Sequence, residues 1–199
     1  MKIYISIRGF TLIEVTIATA IMAMIVILLA QMYISGTISS EKEIAKSKLQ
    51  VEAKSALEGI NSNIKLSAKM EPSYTTDTSV TYTSSATTLI LDIPAIDSSN
   101  TFIYSGSQKA YDHIIYYLDP DNTDNLHKLV FSDNPNSRLY SQNNSDQIIL
   151  NDVQSVSFGY DSAPPNSVEV TTDLTLASTG QGETRTVNVS SQSKRRNSD

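Results

Sequence analysis

The sequence predicts an α+β protein: one long N-terminal helix, half suited to a bilayer and half amphipathic, packed on an antiparallel β-sheet head. Three observations predict it. A run from Phe10 to Ile34 is largely apolar and holds a single charge, Glu14. From Leu49 to Ile64 apolar residues recur at steps of three and four. After Pro72 the chain turns to short β-branched and aromatic runs punctuated by Ser, Asn, Asp, Gly and Pro, the pattern of strands and turns.

The N-terminal segment comes first. Phe10 to Ile34 is 25 residues, about 37 Å as a helix, enough to span a hydrocarbon core with some tilt. Lys2 and Arg8 precede it, and the first charges beyond it are the mixed set Glu41, Lys42 and Glu43. The positive-inside rule therefore places the amino end in the cytoplasm and the remainder outside. No small-residue cleavage site ends the apolar run, as one would in a secretory signal, so the segment is expected to stay with the protein. Glu14 is costly there: an acid at mid-helix carries a penalty of about +2.5 to +3.5 kcal/mol, and such a residue calls for a partner. The plainer alternative is a single-span anchor whose Glu14 snorkels to the surface or is protonated.

The octapeptide Arg8-Gly9-Phe10-Thr11-Leu12-Ile13-Glu14-Val15 resembles the processing site of type IV prepilins and of the pseudopilins of type II secretion. The resemblance implies a type IV pilin-like fold and cleavage by a membrane prepilin peptidase between Gly9 and Phe10. Residues 1–9 would then be a cleaved leader with Lys2 and Arg8 as its charges, and Phe10 a mature, N-methylated first residue. It also implies assembly through Glu14, with Thr11 beside it. The new Phe10 amine would pair with the buried Glu14 carboxylate of a neighbouring subunit, which offsets two desolvation costs and fixes the axial step. Many pilins interrupt this helix with Gly and Pro, and here Ala23 and Gln31 stand at those places.

Residues 10–36 thus read as a transmembrane and filament-core helix, with Thr16, Thr19, Ala18, Ala20 and Ala23 forming a small-residue surface. Residues 37–70 read as the amphipathic half. There Leu49, Ala53, Ala56, Leu57, Ile60 and Ile64 share a face and the charges lie largely elsewhere. Met70-Glu71-Pro72 is the expected stop, with the helix running from about Thr11 to about Lys69. Residues 71–199 form the β-rich head, which opens with a Ser/Thr run to Thr88 that reads as a loop with at most an edge strand.

In the head, strands are expected at Thr88–Ile93, His113–Leu118, Lys128–Ser132, Gln147–Leu150, Val153–Tyr160, Ser167–Ala177 and Thr184–Val189. The last three are read as paired, with Ala163-Pro164-Pro165-Asn166 as a hairpin turn. All are assigned to one antiparallel sheet laid on the apolar face of the helix. This order, the hairpin from Ile114–Leu118 to Leu129–Phe131 and Arg196-Asn197 near the end look most like the minor pilins and J-type minor pseudopilins.

Composition narrows the chemistry. The chain of 199 residues has a formal charge of -6 and no cysteine, which excludes disulfides and thiolate metal sites and makes nucleic acid a poor partner. Asp119-Pro120-Asp121-Asn122-Thr123-Asp124-Asn125 carries oxygen ligands at alternate positions as a calcium loop does, with Asp119, Asp121 and Asp124 as its candidate acids. The loop's sixth place is Asp124 where Gly is needed and its twelfth is Val130 where an acid is needed, so a hairpin turn is the preferred reading. His113 and His127 read as strand-edge residues without metal-ligand spacing, and Lys194-Arg195-Arg196 as a solvated basic tail. No nucleophile elbow or phosphate loop is present, so neither an enzyme nor a cofactor is expected.

The expected role is a minor pilin or pseudopilin: a structural subunit that joins or primes a type IV pilus or type II secretion pseudopilus. Its partners would be prepilin peptidase, other subunits, and the cytoplasmic membrane that it spans once before assembly. The alternative on the same stem is a displayed binding module for a surface, a secreted substrate or DNA. A membrane-anchored domain that never assembles is the third reading.

Overall fold

The computed structural model describes residues 10–76, 79–120, 122–132, 134–180 and 183–196. The chain divides into two compact units, Met1–Ala45 and Lys46–Asp199. A single helix, α1 (Leu12–Leu66), contributes to both.

In the first unit the apolar side chains of α1 from Leu12 to Ile34 are exposed. This helix, near the N-terminus, is long and apolar enough to cross a membrane. Its threonine hydroxyls are satisfied within the helix: Thr16 and Thr19 donate to the carbonyls of Ile13 and Thr16, at 2.9 and 3.0 Å. That removes the desolvation penalty an unpaired hydroxyl would carry in lipid.

In the second unit α1 buries one seam. Leu49, Ala53, Leu57, Ile60 and Ile64 are buried, and Ala56 packs at its border, as the three-four spacing requires. Burying each Leu or Ile contributes about 2 kcal/mol. The helix ends at Leu66, earlier than the expected Lys69. Ser67 supplies the reason: its N–H donates to Asn63 O at 2.9 Å and its buried hydroxyl to Ile64 O at 2.7 Å, closing the last turn. The backbone beyond then leaves for a sheet.

The strands, in chain order, are β1 (Lys69–Met70), β2 (Ser73–Thr75), β3 (Thr81–Thr83), β4 (Thr88–Pro94), β5 (Tyr104–Ser105), β6 (Gln108–Lys109), β7 (Tyr111–Leu118), β8 (Leu126–Ser132), β9 (Ser145–Leu150), β10 (Val153–Tyr160), β11 (Glu169–Gly180) and β12 (Glu183–Lys194). They form two main sheets where the sequence led us to expect one. The first is five-stranded in the order β1-β4-β7-β8-β9, and the second is three-stranded in the order β10-β11-β12. Every pairing is antiparallel.

Both sheets send side chains into one core with the α1 seam, including Leu91, Ile114, Tyr116, Val130, Val156, Phe158 and Leu174. The strict alternation of Val156 and Phe158 is matched by their burial, with Ser155, Ser157 and Gly159 outward. The five-stranded sheet is apolar on its other face too: Ile90, Ile115, Leu129 and Phe131 form a second cluster, covered by Tyr74 and Tyr82. These two tyrosines come from β2 and β3, a two-stranded hairpin. The Ser/Thr run, expected to be a loop with at most one edge strand, is therefore a two-stranded lid on the outer face, held there by its two aromatic side chains.

Candidate functional site

Glu14 is the residue to build from. Thr11 is the residue that caps α1, and Glu14 stands three residues on. The Thr11 N–H and the Thr11 hydroxyl both donate to Glu14 Oε2 at 2.9 Å, and the Glu14 N–H donates back to Thr11 Oγ1 at 3.3 Å. Val15 N–H closes the first helical turn on Thr11 O at 3.2 Å. This is a reciprocal capping box, the Thr-x-x-Glu form. It satisfies donors at the helix start that lipid could not.

The Thr-x-x-Glu spacing of Thr11-Leu12-Ile13-Glu14 is the sequence signal for this box, a signal separate from the charge of Glu14. The box changes the chemistry of the site. Within one chain the carboxylate is already held by neutral donors, and both arrive at Oε2. Among the described residues none donates to Oε1. Phe10, four residues before Glu14, is 87 % exposed. Lys2, Arg8 and Gly9 lie outside the described residues.

Other candidates in the head resolve differently. Asp119 and Asp124 sit in the β7–β8 connection, and Asp121 lies outside the described residues. Asp119 N–H donates to Asn125 O at 3.2 Å and Asn125 N–H to Asn122 O at 3.1 Å, so Asn122 to Asn125 makes a tight turn. Among the described residues no group of three or more His, Asp or Glu side chains converges as a metal site.

His113 and His127 are not at strand edges. They lie inside β7 and β8, each flanked by strands on both sides. His113 Nδ1 is 2.6 Å from Asp92 Oδ1, and His127 Nδ1 is 2.9 Å from Asp146 Oδ1. Asp92 is buried and also has Lys69 Nζ at 3.3 Å. Hydrogen bonding to Glu71, with the nearby Asp92 charge, holds the Lys69 ammonium above its ordinary pKa against the opposing effect of burial. Tyr74 stacks on His113, with ring centroids 4.2 Å apart. Polar pairs thus sit on the outer face beside the second apolar cluster, an arrangement the alternation of β7 and β8 left open.

The basic tail is also not free. Arg195 N–H donates to Val168 O at 2.9 Å and its guanidinium to Ala68 O, while Arg196 N–H reaches Lys65 O at 3.4 Å. It ties the end of the three-stranded sheet to the end of α1.

Comparison with family models, curated proteins and solved structures returns no match. The functional reading therefore rests on residues.

Proposed function

We propose that the protein is a minor pilin or minor pseudopilin. In this reading prepilin peptidase cuts between Gly9 and Phe10, Phe10 is N-methylated, and the subunit enters or primes a type IV pilus or type II secretion pseudopilus. Before assembly it crosses the cytoplasmic membrane once, amino end inside and head outside. Afterwards it is part of an extracytoplasmic filament.

The observation that carries the reading is the Arg8–Val15 octapeptide directly ahead of a helix long and apolar enough for a bilayer. An α+β head with antiparallel sheets is compatible with it. In the assembly step, the Phe10 amine of one subunit takes the Glu14 carboxylate of the next. The Thr11 hydrogen bonds keep that carboxylate solvated by the chain itself while it waits in lipid.

Intact-mass and N-terminal peptide measurements test the processing. Co-expression with a prepilin peptidase should give a chain that begins at methylated Phe10, and Gly9→Val should leave the leader in place. An unprocessed wild-type chain under those conditions overturns the reading.

A head that is itself a displayed binding module, on the same stem, is favoured by one observation: an open cleft beside the buried Asp112.

A further inference from the structure

The five-stranded sheet buries two aspartates on opposite faces, Asp92 and Asp112, each 1 % exposed. They are adjacent in register to one another's strand, since Asp92 pairs with His113. Their surroundings differ. Asp92 has a histidine at 2.6 Å and a lysine at 3.3 Å. Asp112 has one neutral donor, the Ser137 hydroxyl at 2.5 Å on Oδ2. Among the described residues its Oδ1, itself buried, has no hydrogen-bond partner and no cation pairs with it.

A buried carboxylate oxygen left unpaired is costly, and it is the kind of group for which a bound partner is the physical remedy. Asp112 lines a cleft of about 540 Å³, within the size range of small-ligand sites. The lining is mixed: Ile96, Phe102, Leu139 and Leu66 at the end of α1 are apolar, while Asn63 and Gln142 are polar. Phe102 and Leu66 are 42 % and 54 % exposed, so the mouth is open. Arg138 also borders the cleft, but its guanidinium donates to Asn100 Oδ1 at 2.9 Å rather than to Asp112.

Lys128 lines the same cleft. In the β7–β8 register Asp112 stands opposite Ser132 and Tyr116 opposite Lys128. The two charged residues are therefore four positions apart along the strands, about 13 Å at the usual strand rise. Burial pushes the Lys128 ammonium below its ordinary pKa, the mark of a cation with poor solvation. A second cationic group reaching that end would meet repulsion.

We infer that this cleft binds a small apolar monoamine, its ammonium on Asp112 Oδ1 and its hydrocarbon body between Leu66, Phe102 and Leu139. The charge is what selects an amine over an alcohol, because a charge-assisted hydrogen bond to a buried carboxylate is about twice as strong as a neutral one. Lys128 selects a monoamine over a diamine. The inference concerns the head alone and stands apart from the fate of the stem.

The test uses the full chain in lipid nanodiscs, titrated with 1-hexylamine, 1-hexanol and 1,6-diaminohexane by calorimetry and saturation-transfer NMR. Hexylamine should bind saturably at one site with a Kd of about 1 mM or tighter, a reachable affinity for so small a ligand. The alcohol and the diamine should each bind at least about tenfold more weakly, the loss expected for a hydrogen bond to a charged group. Asp112→Asn should lose the preference for amine over alcohol, and Leu66→Trp, which fills the mouth without touching Asp112, should abolish saturable binding.

Absence of saturable hexylamine binding overturns the proposal. So does equal affinity for hexylamine and hexanol, which would mean that Oδ1 is merely hydrated. Binding that survives Leu66→Trp would place the amine elsewhere, the lipid included, and overturns it too. If Asp112→Asn fails to fold, the wild-type comparison and the Leu66 variant decide. Because no arm depends on leader cleavage, failure here leaves the filament reading untouched, and failure of processing leaves this result standing.

Discussion

Glu14 receives both the backbone N–H and the hydroxyl of Thr11 on a single oxygen, Oε2, each at 2.9 Å. The residue therefore has two separable duties: it caps a helix and it carries a charge. Gln can fill the third position of a capping box as well as Glu can, so Glu14→Gln isolates the charge. We expect Glu14→Gln to keep the α1 start ordered by NMR in micelles, yet to fall at least about tenfold in the sheared-filament fraction, given the penalty of leaving a buried partner charge unpaired. Glu14→Ala should lose both order and assembly. Thr11→Ala should fray the first turn, at a cost of about 1 kcal/mol, while reducing assembly less than Glu14→Gln does. Normal incorporation of Glu14→Gln would sink the pairing mechanism.

The ion cluster around Asp92 should matter far more than any ion pair on the helix surface. Asp92 is buried and holds His113 and Lys69 together, so removing it leaves a half-buried histidine without its acceptor. Asp92→Ala is expected to destabilise the full chain by about 3 kcal/mol in urea unfolding at neutral pH. Lys48 and Glu52 form an exposed pair at 3.8 Å along α1, and Lys48→Ala should change stability by less than about 0.5 kcal/mol. A comparable effect of the two substitutions would refute the assignment.

These contrasts also mark what could be read from residues alone. The α1 seam was legible because three-four spacing is a local rule, and Leu49, Ala53, Leu57, Ile60 and Ile64 obey it. The seven longer strands were legible for the same reason, β10 to both its bounds, whereas β12 runs on to Lys194 instead of ending at Val189 and the two-residue β1, β5 and β6 left no pattern to read. The division into two sheets was not, since nothing local tells β9 and β10, joined by only Asn151 and Asp152, to part company. The turn there uses Asp152 with φ of 59°, a conformation Asp tolerates better than most residues. The lid of Tyr74 and Tyr82 was hidden because two aromatics within a Ser/Thr run show their purpose only once Ile90, Ile115, Leu129 and Phe131 present an uncovered face. Asp112 was hidden as well: a burial-dependent site has no sequence pattern of its own.

The loop between β10 and β11 should set an acid limit. Asp161 Oδ1 accepts the Ser167 hydroxyl at 2.7 Å and the N–H groups of Ser162, Val168 and Glu169 at 3.0, 3.0 and 3.1 Å. Burial pushes the carboxyl up, but these hydrogen bonds outweigh it and hold its pKa below the ordinary value of 3.8. A depressed folded pKa gives stability that is present above about pH 4 and drains away as pH falls through the folded value. Asp161→Asn should therefore lower Tm by about 3 °C at neutral pH, for roughly one lost charge-assisted bond, and the difference from wild type should shrink on acidification below pH 4. A difference that widens with acid would reverse the sign and reject the account.

Tyr116 gives the alkaline counterpart. Its ring is buried between α1 and the five-stranded sheet, and its hydroxyl oxygen accepts Asn63 Nδ2 at 2.6 Å. Burial pushes the phenol up from 10.0 to about 12, with the Asn63 hydrogen bond working in the opposite direction. Here the neutral form is the one the folded state favours. The unfolded chain ionises this tyrosine first, so its contribution is intact below pH 10 and is lost as pH rises from 10 to about 12. Tyr116→Phe removes that titration and leaves the partly buried Asn63 donor without its acceptor. At neutral pH the variant should be less stable by about 1 to 2 kcal/mol, and its alkaline unfolding should begin at higher pH than in wild type. Phenolate absorbance followed alongside circular dichroism separates the two effects: in wild type a late-ionising phenolate should appear together with unfolding, and in Tyr116→Phe that component should be reduced. If the phenolate signal forms while the helix is still intact, Tyr116 is solvated and the packing of α1 on β7 is looser than the geometry described.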